Sequence, residues 1–305
     1  MRILISGTSG FIGAALVPHL EGAGHAVSRL VRRTPTSPLE IRWDPARGSL
    51  DRGALEGFEA IVHLSGEGLA DERWSPARKQ RLWSSRIEST RLLSETLARL
   101  ERRPRVFASM SAVGFYGNRG DEELTEASPE GRGFLTRLAR AWEQAAEPAQ
   151  RGGIRVVHPR MGIVLGAHGG ALARMLTPFR LGVGGRIGNG RAWWSWIALD
   201  DVVAAIEFVL RHDTIAGPVN FTAPNPVRNE DFARVLGAAL GRPAFLPIPA
   251  FALRAVFGEM ADEALLSSTR VLPRRLLAAG YAFRHPRLEG ALVGVVGRAV
   301  VPSAA

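Results

Sequence analysis

The sequence predicts an α/β protein: a doubly wound parallel sheet followed by a smaller, mainly helical C-terminal lobe. Three observations lead there. The chain opens on strand, glycine turn and helix without a break (Met1 to Leu20). Short apolar runs then alternate with segments of helical spacing as far as Leu165, and from Gly166 the text turns rich in glycine and aromatics. With 305 residues, 46% apolar and 22% charged, the chain can bury a full core in one large domain or a domain with an appendage. The division expected is 1–170, with 198–224 returning to the same sheet, and 171–305.

The apolar run Ile3 to Ile5 leads into Gly7, Gly10 and Gly13, and the helix-forming segment Ala14 to Leu20 follows. Gly7 lets the chain turn off the strand, Gly10 lets the backbone approach a pyrophosphate, and Gly13 lets helix and strand pack closely. The turn and first helical residues, Ser9, Phe11 and Ile12 among them, then present N–H groups to the phosphates at the positive end of the helix dipole. This is a Rossmann dinucleotide site in its confirming context. The second strand, Ala26 to Val31, ends in Arg32-Arg33. An NAD site needs a carboxylate near here for the ribose hydroxyls, yet none occurs between Glu21 and Glu40. Two arginines suit a 2′-phosphate, so the expected cofactor is NADP(H).

A third strand ends at Trp43-Asp44. Ala60 to Leu64 is a buried strand running into Ser65-Gly66-Glu67-Gly68, so Leu64, Ser65, Gly66 and Glu67 fall at the ligand crevice, while His63 reads as a core histidine. Leu82, Ile87, Leu93, Leu97 and Leu100 give the next helix one apolar face. The strand Val106 to Ser111 places Ser109 beside the cofactor and Ser111 at the chemistry, with Tyr116 on the loop beyond. A helix, Phe134 to Ala146, and a strand, Arg155 to Leu165, complete six strands.

Beyond Gly166 loops are expected, with Arg191, Trp193 and Trp194 lining a pocket. Asp200-Asp201 cap a helix, Val219 to Thr222 forms a seventh strand, Asn229-Glu230-Asp231 begin a helix, and small helices run to about Leu292. The chain has no cysteine, which excludes disulfides, thiolate catalysis and Cys-ligated zinc; no metal is expected. No apolar run reaches membrane-spanning length and the N-terminus opens directly on a strand, so a soluble, cytoplasmic protein with no membrane contact is expected. The net charge of +10 comes mainly from arginines scattered along the chain without interleaved aromatics, which reads as a solvated surface with no nucleic-acid partner.

Together, GTSGFIG, HLSGE at 63–67, SRIEST at 85–90, SMSAVGFYG at 109–117, PFRLGVGGRIGNG at 178–190 and the tail from Asn220 resemble the extended short-chain dehydrogenase/reductase superfamily. The nearer resemblance is to its atypical epimerase-family branch, similar to nucleoside-diphosphate-sugar epimerases and carrying a small C-terminal domain. It covers nearly the whole chain. It implies an NADP(H)-binding core, a small-molecule substrate of the nucleotide-sugar class, and a homodimer through the helices near 77–100 and 134–146.

The same resemblance exposes a departure. Such enzymes work through an Asn, a Ser or Thr, and a Tyr-x-x-x-Lys pair, in which the lysine and the cofactor ribose lower the tyrosine pKa for proton transfer while hydride moves. Here Leu135 and Ala139 occupy the Tyr and Lys places. The chain holds only two tyrosines, Tyr116 and Tyr281, and one lysine, Lys79, so no such pair exists anywhere. Arg86 stands in the Asn place, and Ser111 alone keeps its usual type. The expectation is an oxidoreductase or epimerase-like enzyme with a different acid/base set: Ser111 bonding a substrate oxygen, Tyr116 donating the proton, and Arg86 supplying fixed positive charge. The alternative is a non-catalytic NADP(H)-dependent binding or regulatory protein.

Overall fold

A computed structural model describes residues 1–300. Its first stretch contains β1 (Arg2–Ser6), α1 (Phe11–Gly22), β2 (Ala26–Val31), β3 (Glu40–Asp44), β4 (Ser49–Leu50), β5 (Ala60–His63), α2 (Pro76–Ala98), β6 (Val106–Ser109) and β7 (Ser111–Ala112). Then come β8 (Glu123–Leu124), α3 (Phe134–Gln144), α4 (Glu147–Arg151), β9 (Arg155–Met161), β10 (Ile163–Leu165), α5 (Gly170–Arg180), β11 (Trp193–Trp194), β12 (Trp196–Ala198) and α6 (Leu199–Arg211). The remainder holds β13 (Gly217–Phe221), β14 (Val227–Arg228), α7 (Asn229–Leu240), α8 (Ala250–Phe257), β15 (Arg270–Val271), α9 (Arg274–Ala278) and α10 (Leu288–Val300). The chain divides into two compact units. One comprises Met1–Ala112, Arg137–Arg160 and Val203–Val219; the other comprises Val113–Thr136, Met161–Val202 and the described residues from Asn220 to Val300. Where the sequence suggests one boundary near residue 170 and a single return, the chain passes between the units repeatedly.

In the first unit the strand order is β13-β9-β6-β5-β1-β2-β3-β4, with β7 beside β9. Neighbouring strands from β9 through β3 run parallel and β4 closes the edge antiparallel. Winding outward in both directions from β1 places a switch point between β1 and β5, where ligands of such sheets bind at the carboxyl ends. Leu4, Leu30, Ile61, Phe107 and Val156 from the strands pack with Leu93 and Leu97 of α2. That helix starts at Pro76, and the side chain of Ser75 caps it by accepting the Arg78 N–H.

A buried imidazole ties three of these elements together. His63 Nδ1 lies 2.6 Å from the Ser6 hydroxyl, its Nε2 lies 3.2 Å from the Ser89 hydroxyl, and Ser89 donates onward to the Ser85 carbonyl at 2.7 Å. The ring therefore links the ends of β1 and β5 to α2. Burial in the sheet pushes its pKa down to about 3, so it is neutral.

The expected strand over 155–165 is instead two strands. A Cβ on Gly162 would lie 2.6 Å from the Ser195 carbonyl oxygen, and Ile163 N–H donates to that carbonyl at 2.8 Å. Only glycine admits this approach, and beyond it β10 pairs parallel with β12. Likewise the expected strand over 106–111 is divided: β6 ends at Ser109, with the Met110 N–H making its last bond to β5 at the His63 carbonyl, and Ser111 begins β7.

The second unit is built from two-stranded pairs and helices. Leu172, Leu176 and Phe179 of α5 pack with Trp194, Trp196, Phe232, Leu236, Leu288 and Leu292. Helix α5 was not anticipated from the glycine-rich text. Asp201, fully buried in the first turn of α6, accepts from the Tyr281 hydroxyl and from the N–H groups of Arg284 and His285. No helix among the described residues is long and apolar enough to cross a membrane.

The unfolded chain takes up a proton on residue 63 that the native state refuses. Stability should thus fall as pH drops below 6.5 towards 3, with His63 alone removing about 2 kcal/mol between pH 7 and pH 5. Urea denaturation at the two pH values measures this, with His63→Asn as the control; a wild-type loss unchanged by that substitution would contradict the assignment.

Candidate functional site

At the end of β1 the chain turns through Gly7, whose φ of +74° is a left-handed value that side chains resist. A Cβ at Gly7 would also lie 2.9 Å from the Leu64 carbonyl carbon, and one at Gly13 would lie 2.3 Å from the Gly7 oxygen. The two glycines therefore set α1 directly on the strand end. Gly10 precedes α1 without any side-chain cap, and the first turn carries no acid. The opening N–H groups of α1 have no helical acceptors, so exposed Ser9 and Gly10 and half-buried Phe11 and Ile12 border an anion site with the shape of a pyrophosphate cradle.

Beside it, Leu30 of β2 is in register with Ser6, so Arg32 and Arg33 lie just past the neighbouring strand end. They are not equivalent. Arg32 is exposed and has no ion-pair partner among the described residues. Arg33 makes a two-point pair with Glu40, at 2.5 and 2.9 Å.

The loop after β5 is fastened to α2. Glu67 N–H donates to the Ser85 hydroxyl at 3.2 Å, and Arg86 donates to the Glu67 carbonyl at 2.8 Å and to the Leu82 carbonyl at 3.1 Å. Arg78 holds the Glu67 carboxylate and the Gly68 carbonyl. The guanidinium of Arg86 lies over the Trp142 ring at 5.1 Å, and burial brings its pKa down to about 10, which leaves it cationic. Leu64, Ser65 and Gly66 are thereby presented at the crevice. Arg86 supports this loop from beneath, and a Cβ on Gly66 would already touch its guanidinium carbon at 3.2 Å.

At the ends of β6 and β7, Ser109 is buried and its hydroxyl has no hydrogen-bond partner among the described residues. Ser111 donates to Glu143 Oε1 at 2.7 Å. Arg160 grips the same carboxylate with Nε at 2.8 Å and Nη2 at 2.9 Å. The Arg160 and Glu143 side chains are 4% and 14% exposed, so the pair is hydrogen-bonded at two points and largely shielded from water. Neither residue was singled out in the sequence. The available signal was that Glu143 falls on the helix carrying Leu135 and Ala139, one turn after Ala139.

Tyr116 belongs to the second unit and takes a different place from the loop position expected of a proton donor. It is fully buried with Leu124 and Val271, and its hydroxyl donates to Asn220 Oδ1 at 2.7 Å. Asn220 in turn donates to the Leu272 carbonyl. Leu135 packs against Gly114, where a Cβ would lie 3.1 Å from its own, and Glu263 receives the N–H groups of Phe134 and Leu135. Ala139 is 2% exposed. Of the expected pocket aromatics, Trp194 is a core residue, and Trp193 is stacked between Arg228 and Arg270 with its N–H on Asp121.

Residues 3–221 match the NAD dependent epimerase/dehydratase family, and residues 248–294 match a domain of unknown function, DUF1731. An epimerase family protein of Mycobacterium tuberculosis is 44% identical over 290 residues, 95% of this chain and 96% of that protein. The crystal structure of human epimerase family protein SDR39U1 (isoform 2) with NADPH has a TM-score of 0.90 at 36% identity, covering 97% of this chain and 99% of the human one. A nucleoside-diphosphate sugar epimerase from Corynebacterium glutamicum gives 0.82 at 34% identity, over 98% of this chain and 58% of that one.

Gly13→Ala should destabilise the protein by about 2–3 kcal/mol, because its methyl meets backbone, whereas Gly10→Ala should cost less than about 1 kcal/mol. Thermal unfolding of the two variants checks the order; equal losses would mean that α1 can shift off β1.

Proposed function

Because the chain belongs to the NAD dependent epimerase/dehydratase family, we propose that it binds NADP(H) and catalyses hydride transfer, as an oxidoreductase or epimerase-like enzyme, through Ser111 in place of a Tyr-x-x-x-Lys pair. The observation that carries the reading is the Ser111–Glu143–Arg160 arrangement at the ends of the sheet strands. The Gly7–Gly13 cradle fits a pyrophosphate, Arg32 and Arg33 suit a 2′-phosphate, and the human relative was solved with NADPH. When bound, the nicotinamide accepts or gives up a hydride.

The chain's own residues handle the proton. With its hydrogen donated to Glu143, Ser111 Oγ has lone pairs free to accept a substrate hydroxyl. As that hydroxyl's proton moves to Ser111 Oγ, the serine's own proton moves to Glu143, and the reverse path returns a proton to a carbonyl oxygen. Arg160 keeps the carboxylate oriented between turnovers. Arg86 steadies the loop that borders the crevice, and Tyr116 braces the core of its unit. The substrate class is a small molecule, with nucleotide sugars suggested by the name of the Corynebacterium relative. A homodimer through α2 and α3 completes the reading; a cleft of about 320 Å³ on those helices is lined by Trp83, Ile87 and Ala141.

A second reading, a non-catalytic NADP(H)-dependent binding or regulatory protein, is favoured by Leu135 and Ala139 standing in the Tyr and Lys places. Hydride transfer from NADPH to a panel of keto-sugar nucleotides and simple carbonyls separates the two: turnover supports the enzyme, and tight NADPH binding without turnover supports the sensor.

Gly10→Ala should abolish NADPH binding in a fluorescence titration while leaving the circular dichroism spectrum unchanged. Ser111→Ala should lower kcat about 100-fold and Glu143→Gln about tenfold, whereas Tyr116→Phe should lower the melting temperature and leave kcat within about twofold. A Ser111→Ala rate equal to wild type would remove this mechanism.

A further inference from the structure

Between Glu21 and Ile41 the chain carries one carboxylate, Glu40, and it opens β3 opposite Arg29 of β2. Its oxygens are fully engaged. They accept from Arg33 Nη2 at 2.5 Å and Nη1 at 2.9 Å, from Thr36 N–H at 2.7 Å and from the Thr36 hydroxyl at 3.1 Å. Arg33 Nη1 also donates to the Thr34 carbonyl at 3.0 Å, which closes the segment into a tight loop. The Glu40 side chain is only 5% exposed, while that of Arg33 remains 56% exposed. Arg33 and Thr36 hold the Glu40 carboxyl down to about 2, so it is ionised throughout the physiological range.

An acid beside the end of the second strand is what a site for the unphosphorylated dinucleotide uses to accept ribose hydroxyls. Here the one nearby acid stands at the start of the third strand instead, opposite Arg29, and Arg33 covers it. We infer that the Arg33–Glu40 pair selects between the phosphorylated and unphosphorylated dinucleotides, with Arg33 acting both as a cation for the 2′-phosphate and as the mask over Glu40. The inference rests on the NADP(H) reading above. Arg32, unpaired and exposed, contributes a single charge, whereas loss of Arg33 deletes a cation and uncovers an anion next to the phosphate. The two arginines are therefore unequal in their effect, and the difference resides in Glu40.

Dissociation constants of NADPH and NADH, read from nicotinamide fluorescence on the full chain, test this with Arg32→Ala, Arg33→Ala and the double variant Arg33→Ala/Glu40→Gln. Arg32→Ala should reduce the preference for NADPH about tenfold, and Arg33→Ala should reduce it about 100-fold, mainly through weaker NADPH binding. The double variant should recover about tenfold of the Arg33→Ala loss, because the uncovered anion is gone. Circular dichroism and melting temperature establish that each variant is folded, and Arg33→Gln, which keeps donors for Glu40 and Thr34, replaces Arg33→Ala if that variant melts early. Equal preferences in the single and double Arg33 variants would overturn the role of Glu40. A wild-type protein that binds both dinucleotides equally would instead defeat the cofactor reading itself.

Discussion

The carbonyl of Gly7 is the fixed point of the first unit. Helix α1 comes down on it at Gly13, the Leu64–Ser65 peptide closes against Gly7 from the next strand, and neither approach leaves room for a side chain. The loops after β1 and β5 are thereby set relative to each other by backbone contact, which deforms far less than side-chain packing. His63 adds a second tie a residue earlier, joining Ser6 to α2 through Ser89. With the strand ends held this way, the loop at 64–68 needs only its arginine supports to present itself to the crevice.

Charge has been handled in a consistent manner around that frame. Arg33 is closed on Glu40, Arg78 on Glu67, and Arg160 on Glu143, each through at least one short charge-assisted hydrogen bond. An arginine-rich chain with a single lysine has thus turned planar guanidinium groups into its main means of fixing carboxylates, as their geometry favours. Beside Ser111 this takes the form of a buried arginine closed on a glutamate.

Much of this architecture was legible in the sequence, and what was not has a common cause. Strands such as Ala26–Val31 and Ala60–His63 announce themselves through local apolar runs, and the glycine turn through its spacing. The break at Gly162 depends on the Ser195 carbonyl, and the burial of Tyr116 depends on Asn220, so no local pattern reports either. Arg32 and Arg33 read as twins until Glu40, several residues on, is seen to close on only one. Ser111 was identifiable by type, but its partners Glu143 and Arg160 arrive from a helix and a strand that only the folded sheet brings together.

The packing around α3 also limits what its inner face can hold. Leu135 sits against Gly114 while Glu263 receives the helix's first N–H groups, and Ala139 has almost no exposed surface. Leu135 is half-buried and has room at its outer side, whereas a lysine at 139 would bury an ammonium among packed atoms. Position 139 is therefore closed to a long cation unless its surroundings open with it, so a change there is a change to the packing of the whole helix face rather than of one side chain.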